Sequence, residues 1–154
     1  MLPPDFTAWI TEYNRLYKAM DELYRSAAAR FNLPECALWI LYTLRLANGP
    51  LTQRELCDRL FLPKQSVHTA LKKLIAQGYL TLSFREGNRK SKWIHLTDTG
   101  LRLAQESADL ILQAEARAHA RLSPGEQAQL PLLTHRFTTL LREEMTFLPE
   151  GDAL

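Results

Sequence analysis

Lys64, Gln65, Ser66, His68, Thr69, Lys72 and Lys73 crowd the stretch from Pro63 to Gln77, which contains no Asp or Glu. Amide, hydroxyl, imidazole and ammonium groups are the side chains that pair with base edges and phosphate oxygens. At about 100° per residue, Gln65, Thr69 and Lys72 fall nearly opposite Val67, Ala70, Leu71 and Leu74, with His68 and Lys73 on the flanks. The spacing predicts a helix with an apolar back and a polar, acid-free front, which suits a polyanion in the wide groove of a duplex. A solvated face on a protein-interaction helix is the competing reading.

A second basic cluster follows. Arg85, Arg89, Lys90 and Lys92 lie within eight residues, around the turn signal Glu86-Gly87-Asn88. At the tip of a hairpin such side chains reach a minor groove or a phosphate backbone. Net charge is distributed accordingly: it is 0 over residues 1–48, +5 over 49–100 and −3 over 101–154. A basic centre between neutral and acidic flanks fits a molecule of which only the middle faces nucleic acid, although an ordinary solvated surface also carries a modest excess.

The elements that must position these groups are legible in the pattern. Asp5 is read as the cap of a long amphipathic helix with the stripe Phe6, Ile10, Tyr13, Tyr17, Met20, Tyr24, Ala27 and Phe31. A second, very apolar helix runs from about Pro34 to Leu46 and stops at Asn48-Gly49-Pro50. Thr52 with Glu55 three residues on forms a capping box for a short helix to Leu60. After a tight turn at Phe61-Leu62, Pro63 is placed at the first position of the next helix and Gly78 at its left-handed stop. Strands are expected over Tyr79–Arg85 and Ser91–Leu96, then one helix from Thr97 to about Leu122. Ser123, Pro124 and Glu126 start a last helix that ends before Pro149, with Pro131 expected to kink it or delay its start.

Helix, tight turn, helix and hairpin is the order of a winged helix-turn-helix. The fold class is therefore mainly α with a small β-hairpin wing. Residues 1–48 and 101–154 would supply dimerisation helices around a DNA-binding lobe over 49–100. The motifs L-T-Q-R-E-L-C-D-R-L, S-V-H-T-A-L-K-K-L-I-A-Q-G-Y-L and N-R-K-S-K-W-I-H-L-T-D-T-G resemble the MarR family of winged-helix regulators over about Leu51 to Gly100. The resemblance implies a homodimer on pseudo-palindromic double-stranded DNA near promoters, often a repressor released by a small-molecule effector or by oxidation. The chain departs from the family pattern twice. Asn88 stands where an Asp usually precedes the wing arginine, and Pro63 stands where a Ser often caps the recognition helix.

The aromatic stripe of the first helix and the apolar face Leu130, Leu133, Phe137, Leu140, Leu141 and Met145 of the last need cover, from a second copy or from an intramolecular bundle. Trp9, Tyr13, Tyr17, Trp39 and Tyr42 read first as core packing and second as the lining of an effector pocket. Enzymatic readings find no support, for G-x-S-x-G, H-E-x-x-H and glycine-rich phosphate loops are all missing from the sequence. No cofactor is implied. The four histidines are scattered, so no metal is expected, and zinc held by His119, His135 and nearby carboxylates is the alternative. Cys36 and Cys57 fit neither a disulfide framework nor a C-x-x-C site, and read as small buried hydrophobes rather than redox sensors. With no signal-peptide pattern and no apolar run of membrane-spanning length, a cytoplasmic chain without a membrane partner is expected.

Overall fold

The computed structural model describes residues 3–47, 49–60, 62–85 and 87–148, with the side chains of 85 and 88–91 outside the description. Asn48, Phe61, Glu86 and Pro149, invoked above as turn or stop signals, therefore lie outside the described residues. The elements in order are α1 (Pro4–Arg30), α2 (Glu35–Ala47), β1 (Leu51–Thr52), α3 (Gln53–Leu60), α4 (Lys64–Ala76), β2 (Leu80–Arg85), β3 (Asn88–Leu96), α5 (Asp98–Gln105), α6 (Ala108–His119) and α7 (Pro124–Met145). They divide into two compact units, 1–112 and 113–154.

In the first unit, the main core gathers Ile40 and Leu44 of α2, Leu56 of α3, Val67, Leu71 and Leu74 of α4, Leu80 of β2 and Ile94 of β3. Ile40, Leu56 and Val67 are completely removed from solvent. Burial of such side chains stabilises the fold by about 1.5–3 kcal/mol each. Leu41 packs with Ala104 and Ala108, and Ala28 with Leu38 and Ile111, so α2 is covered on several sides. A bidentate ion pair links Arg45 of α2 to Asp109 of α6, both contacts at 2.7 Å.

The sheet has the order β1-β3-β2, antiparallel throughout. Leu51 and Thr52 pair with Ile94 and Trp93, a short strand that the sequence pattern does not announce. The returning strand begins at Asn88 rather than Ser91, and the ladder shifts register between Phe84 and Arg85. β2 leads into β3 directly, which gives the hairpin wing.

Local chemistry explains most boundaries. Thr52 Oγ1 accepts from the Glu55 N–H at 3.2 Å while the Glu55 carboxylate accepts from the Thr52 N–H at 2.8 Å, completing the predicted capping box of α3. α4 ends in a Schellman motif. Gly78 has φ +76°, its N–H reaches Ile75 O at 2.9 Å, and the Tyr79 N–H reaches Leu74 O at 2.9 Å. Pro63 proves to be the N-cap of α4, with extended ψ of 130°, and its carbonyl accepts from the Val67 N–H.

The helix expected from Thr97 to Leu122 is two helices. Ser107 is buried, its hydroxyl donates to Leu103 O at 2.6 Å, and its N–H turns to Ala104 O, so the chain tightens between α5 and α6 without a Gly or Pro. α5 starts against the turn between α4 and β2: the Thr97 N–H reaches Tyr79 O at 3.1 Å, and Thr97 Oγ1 donates to Gly78 O and accepts from the Gly100 N–H. At Gly100 a Cβ would lie 1.8 Å from Tyr79 O, so only glycine permits this approach. α1 starts at Pro4, one residue before Asp5, which sits in its first turn.

In the second unit, α7 opens with the predicted capping box between Ser123 and Glu126. Hydrogen bonds from the Ser123 N–H and hydroxyl hold the Glu126 carboxyl below its usual range. Helix α7 runs from Pro124 through Pro131 to Met145 as one element, so Pro131 does not delay its start.

Candidate nucleic-acid interface

Helix α4 presents the two faces its sequence predicts. Val67, Leu71 and Leu74 are at most 4% exposed, whereas Lys64, Gln65, Ser66, Thr69, Lys72 and Lys73 are exposed and His68 is half-buried. The Thr69 hydroxyl donates to Gln65 O at 2.9 Å within the helix, leaving its methyl and oxygen lone pairs for a ligand. The packing behind this face is dense and the front is free of acidic groups, so an incoming polyanion meets donors without like-charge repulsion.

Two hollows flank the helix. One of about 400 Å³ lies between α3, α4 and the sheet, and its lining includes Gln53, Arg54, His68, Lys72 and Lys92. Gln53 Nε2 stands 3.4 Å from His68 Nδ1. On the other side a hollow of about 680 Å³ is bordered by Gln65, Ser66, Thr69 and Lys73 from α4 and by Asn32 and Cys36. In the wing, Lys92 Nζ lies 5.4 Å from the centre of the Phe84 ring, and Ser83 Oγ lies 2.6 Å from His95 Nε2 across the strands. A cation this near a ring face is attracted by the ring's quadrupole.

Of the wing set, Lys92 is described and exposed, whereas the side chains of Arg85, Arg89 and Lys90 lie outside the described residues. Gln53 and Arg54 were missed in the sequence pattern. The available signal was their position in the first turn of α3, directly after the Thr52 cap, in the helix preceding the predicted reader.

Among the predicted pocket residues, Trp39 and Tyr42 meet edge to face at 5.2 Å and line a cavity of about 430 Å³ with Leu46, Arg59 and Leu62. Trp9 and Tyr13 stack on each other along α1 at 5.3 Å, and Trp9 and Tyr17 are exposed. These three do not belong to the lining of that cavity.

Burial pushes both thiols above their ordinary range, with Cys57 and Glu35 adding to the effect at Cys36 and Asp58 outdone by Lys64 at Cys57. Both are free cysteines. Among the described residues, no group of three or more His, Cys, Asp and Glu is placed to hold a metal ion. No described helix is long and apolar enough to cross a membrane.

Residues 32–91, which hold α2 to the start of β3, match the model of the MarR family. An uncharacterised HTH-type transcriptional regulator of Bacillus subtilis (strain 168), YkoM, is 32% identical over 124 residues, covering 79% of this chain and 78% of the relative. Among solved structures, Sco3205 of Streptomyces coelicolor, a MarR family transcriptional regulator in complex with DNA, superposes with a TM-score of 0.74 at 18% identity. That match covers 92% of this chain and 94% of Sco3205. BpsR of Bordetella bronchiseptica, whose DNA binding is regulated by 6-hydroxynicotinic acid, gives a TM-score of 0.64 at 18% identity over 83% of this chain and 91% of its own. At these identities the structural likeness is one of fold. Together with the winged helix-turn-helix built above, the YkoM match and the family model place this chain in the MarR family of transcriptional regulators.

Proposed function

We propose that the chain is a sequence-specific, non-catalytic DNA-binding repressor that works in the cytoplasm as a homodimer on a pseudo-palindromic operator. The observation that carries this reading is the exposed, acid-free face of α4, backed by a fully buried apolar seam. Gln65, Ser66, His68, Thr69 and Lys72 would contact bases and phosphates in the major groove, with Lys64 and Lys73 on the backbone. Arg85, Arg89, Lys90 and Lys92 would extend the contacts from the wing. The DNA complex of Sco3205 supports such a role for this fold.

Dimerisation is supported separately in each unit by large apolar side chains left in water. Leu16, Tyr17, Met20 and Leu23 of α1 are 53–72% exposed, and Leu130, Leu133, Leu140 and Met145 of α7 are 50–60% exposed. Exposed apolar surface of this extent marks an interaction site. A second copy of the chain would cover it and set two reading helices about one helical turn of DNA apart. The outer segments, 1–48 and 101–154, would then serve dimerisation and 49–100 DNA binding.

Control by a small apolar effector is the remaining part of the proposal. The cavity beside Trp39 and Tyr42 offers aromatic walls and the cation of Arg59, and BpsR supplies a precedent for ligand control in a similar fold. Fluorescence titration with random duplex tests the central claim. Affinity should fall steeply as salt rises, and selection from a random pool should return a palindrome. Salt-insensitive or undetectable binding would instead identify a winged helix used as a protein-interaction module.

A further inference from the structure

We propose that Gln53 is a positioning residue for base readout, holding the ring of His68 so that one defined ring nitrogen is offered to the duplex. The inference rests on the DNA-binding reading above. Gln53 is the first residue of α3, and its backbone is fixed by what precedes it. Thr52 is paired to Trp93 in the sheet and locked to Glu55 by the capping box. From that fixed point its amide Nε2 reaches His68 Nδ1 at 3.4 Å across the gap between the two helices.

With the Gln53 amide nitrogen as the donor of this contact, Nδ1 accepts and the neutral ring carries its proton on Nε2. His68 thereby enters the hollow between α3, α4 and the sheet as a donor, the form that pairs with guanine O6 or N7, adenine N7 or thymine O4. Among the described residues, the charged groups lining that hollow are Arg54 from α3, Lys72 from α4 and Lys92 from β3, all cationic. They supply phosphate affinity, whereas the Gln53–His68 pair is uncharged and bears on which base is accepted.

The test compares the full chain with Gln53→Ala, His68→Ala, the double variant and Gln53→Glu, by selection from a random duplex pool and by titration of single-base variants of the selected duplex. Gln53→Ala and His68→Ala should lose discrimination at the same base pair of each half-site, by about threefold to tenfold, the worth of one ordinary hydrogen bond. The double variant should lose no more than either single one, since the pair acts as a unit. In Gln53→Ala, affinity for random duplex and its salt dependence should stay at the wild-type level, because no charge is removed. Gln53→Glu supplies a readout that packing alone would not move. Its carboxylate only accepts, so Nε2 donates only when the ring is protonated, and discrimination should weaken as pH rises.

Additive losses, losses at different base pairs, or a Gln53→Glu profile flat in pH would overturn the positioning role while leaving DNA binding intact. If the unmodified chain shows no salt-dependent binding to random duplex, the DNA-binding reading fails and the proposal fails with it.

Discussion

Replacing Gly100 by alanine sets two opposing effects against each other, and the structure decides which wins. Gly100 lies in the first turn of α5, where alanine is the better helix former by about 1 kcal/mol. Its added methyl would stand 1.8 Å from Tyr79 O and 2.8 Å from the Tyr79 carbonyl carbon, both backbone atoms that no rotamer change can move aside. Relief requires α5 to lift from the turn that precedes β2. That strains the Thr97 N–H bond to Tyr79 O and the 2.6 Å bond from Thr97 Oγ1 to Gly78 O.

Overpacking of this kind costs about 1–3 kcal/mol, and each weakened hydrogen bond adds about 1 kcal/mol. After subtracting the helix-propensity gain, a net loss of about 2–4 kcal/mol remains, a large part of the roughly 5–15 kcal/mol that holds a domain together. Urea unfolding at fixed protein concentration should show the midpoint falling without a change in slope. The thermal midpoint should drop by roughly 4–16 °C for a chain of this size. An alanine variant as stable as the parent would refute the close approach of α5 to Tyr79 and with it the account of why glycine stands there.

Lys72→Ala, which removes an exposed charge from the front of α4, should weaken binding to random duplex and lower the salt slope by about one unit, read by fluorescence titration. Arg45→Ala strands the Asp109 carboxylate, itself only 17% exposed, and should destabilise the chain by about 1–3 kcal/mol in denaturant unfolding. Asp109→Asn should cost less, because its amide oxygen still accepts from the guanidinium. Burial holds the thiols of Cys36 and Cys57 protonated near neutral pH, so alkylation of the folded chain should be slow and rise with pH, as mass spectrometry over a pH series would record.

What the sequence made legible was local chemistry. The Thr52–Glu55 and Ser123–Glu126 boxes, the Gly78 stop and the two faces of α4 each depend on residues within one or two turns of one another, and each occurs in the structure. What escaped was non-local. β1 is two residues long and exists only because Leu51 and Thr52 find Ile94 and Trp93 some forty positions away. The break between α5 and α6 lacks a Gly or Pro and depends on a buried Ser107 and on Ala104 and Ala108 fitting against Leu41. Gln53 carries no charge and belongs to the less conspicuous helix, so only the approach of α3 to α4 brings it to His68.

The pairing of β1 with β3 has a mechanical meaning for DNA. Thr52 belongs at once to the sheet that carries the wing and to the cap that launches α3, so the hairpin base and the helix pair are riveted at one residue. If α4 and the wing reach into adjacent grooves as proposed, these two jaws would keep a set separation, like a caliper locked at one gauge. A duplex whose grooves are too wide or too closely spaced would then have to deform to be gripped, and its stiffness would become part of what is read.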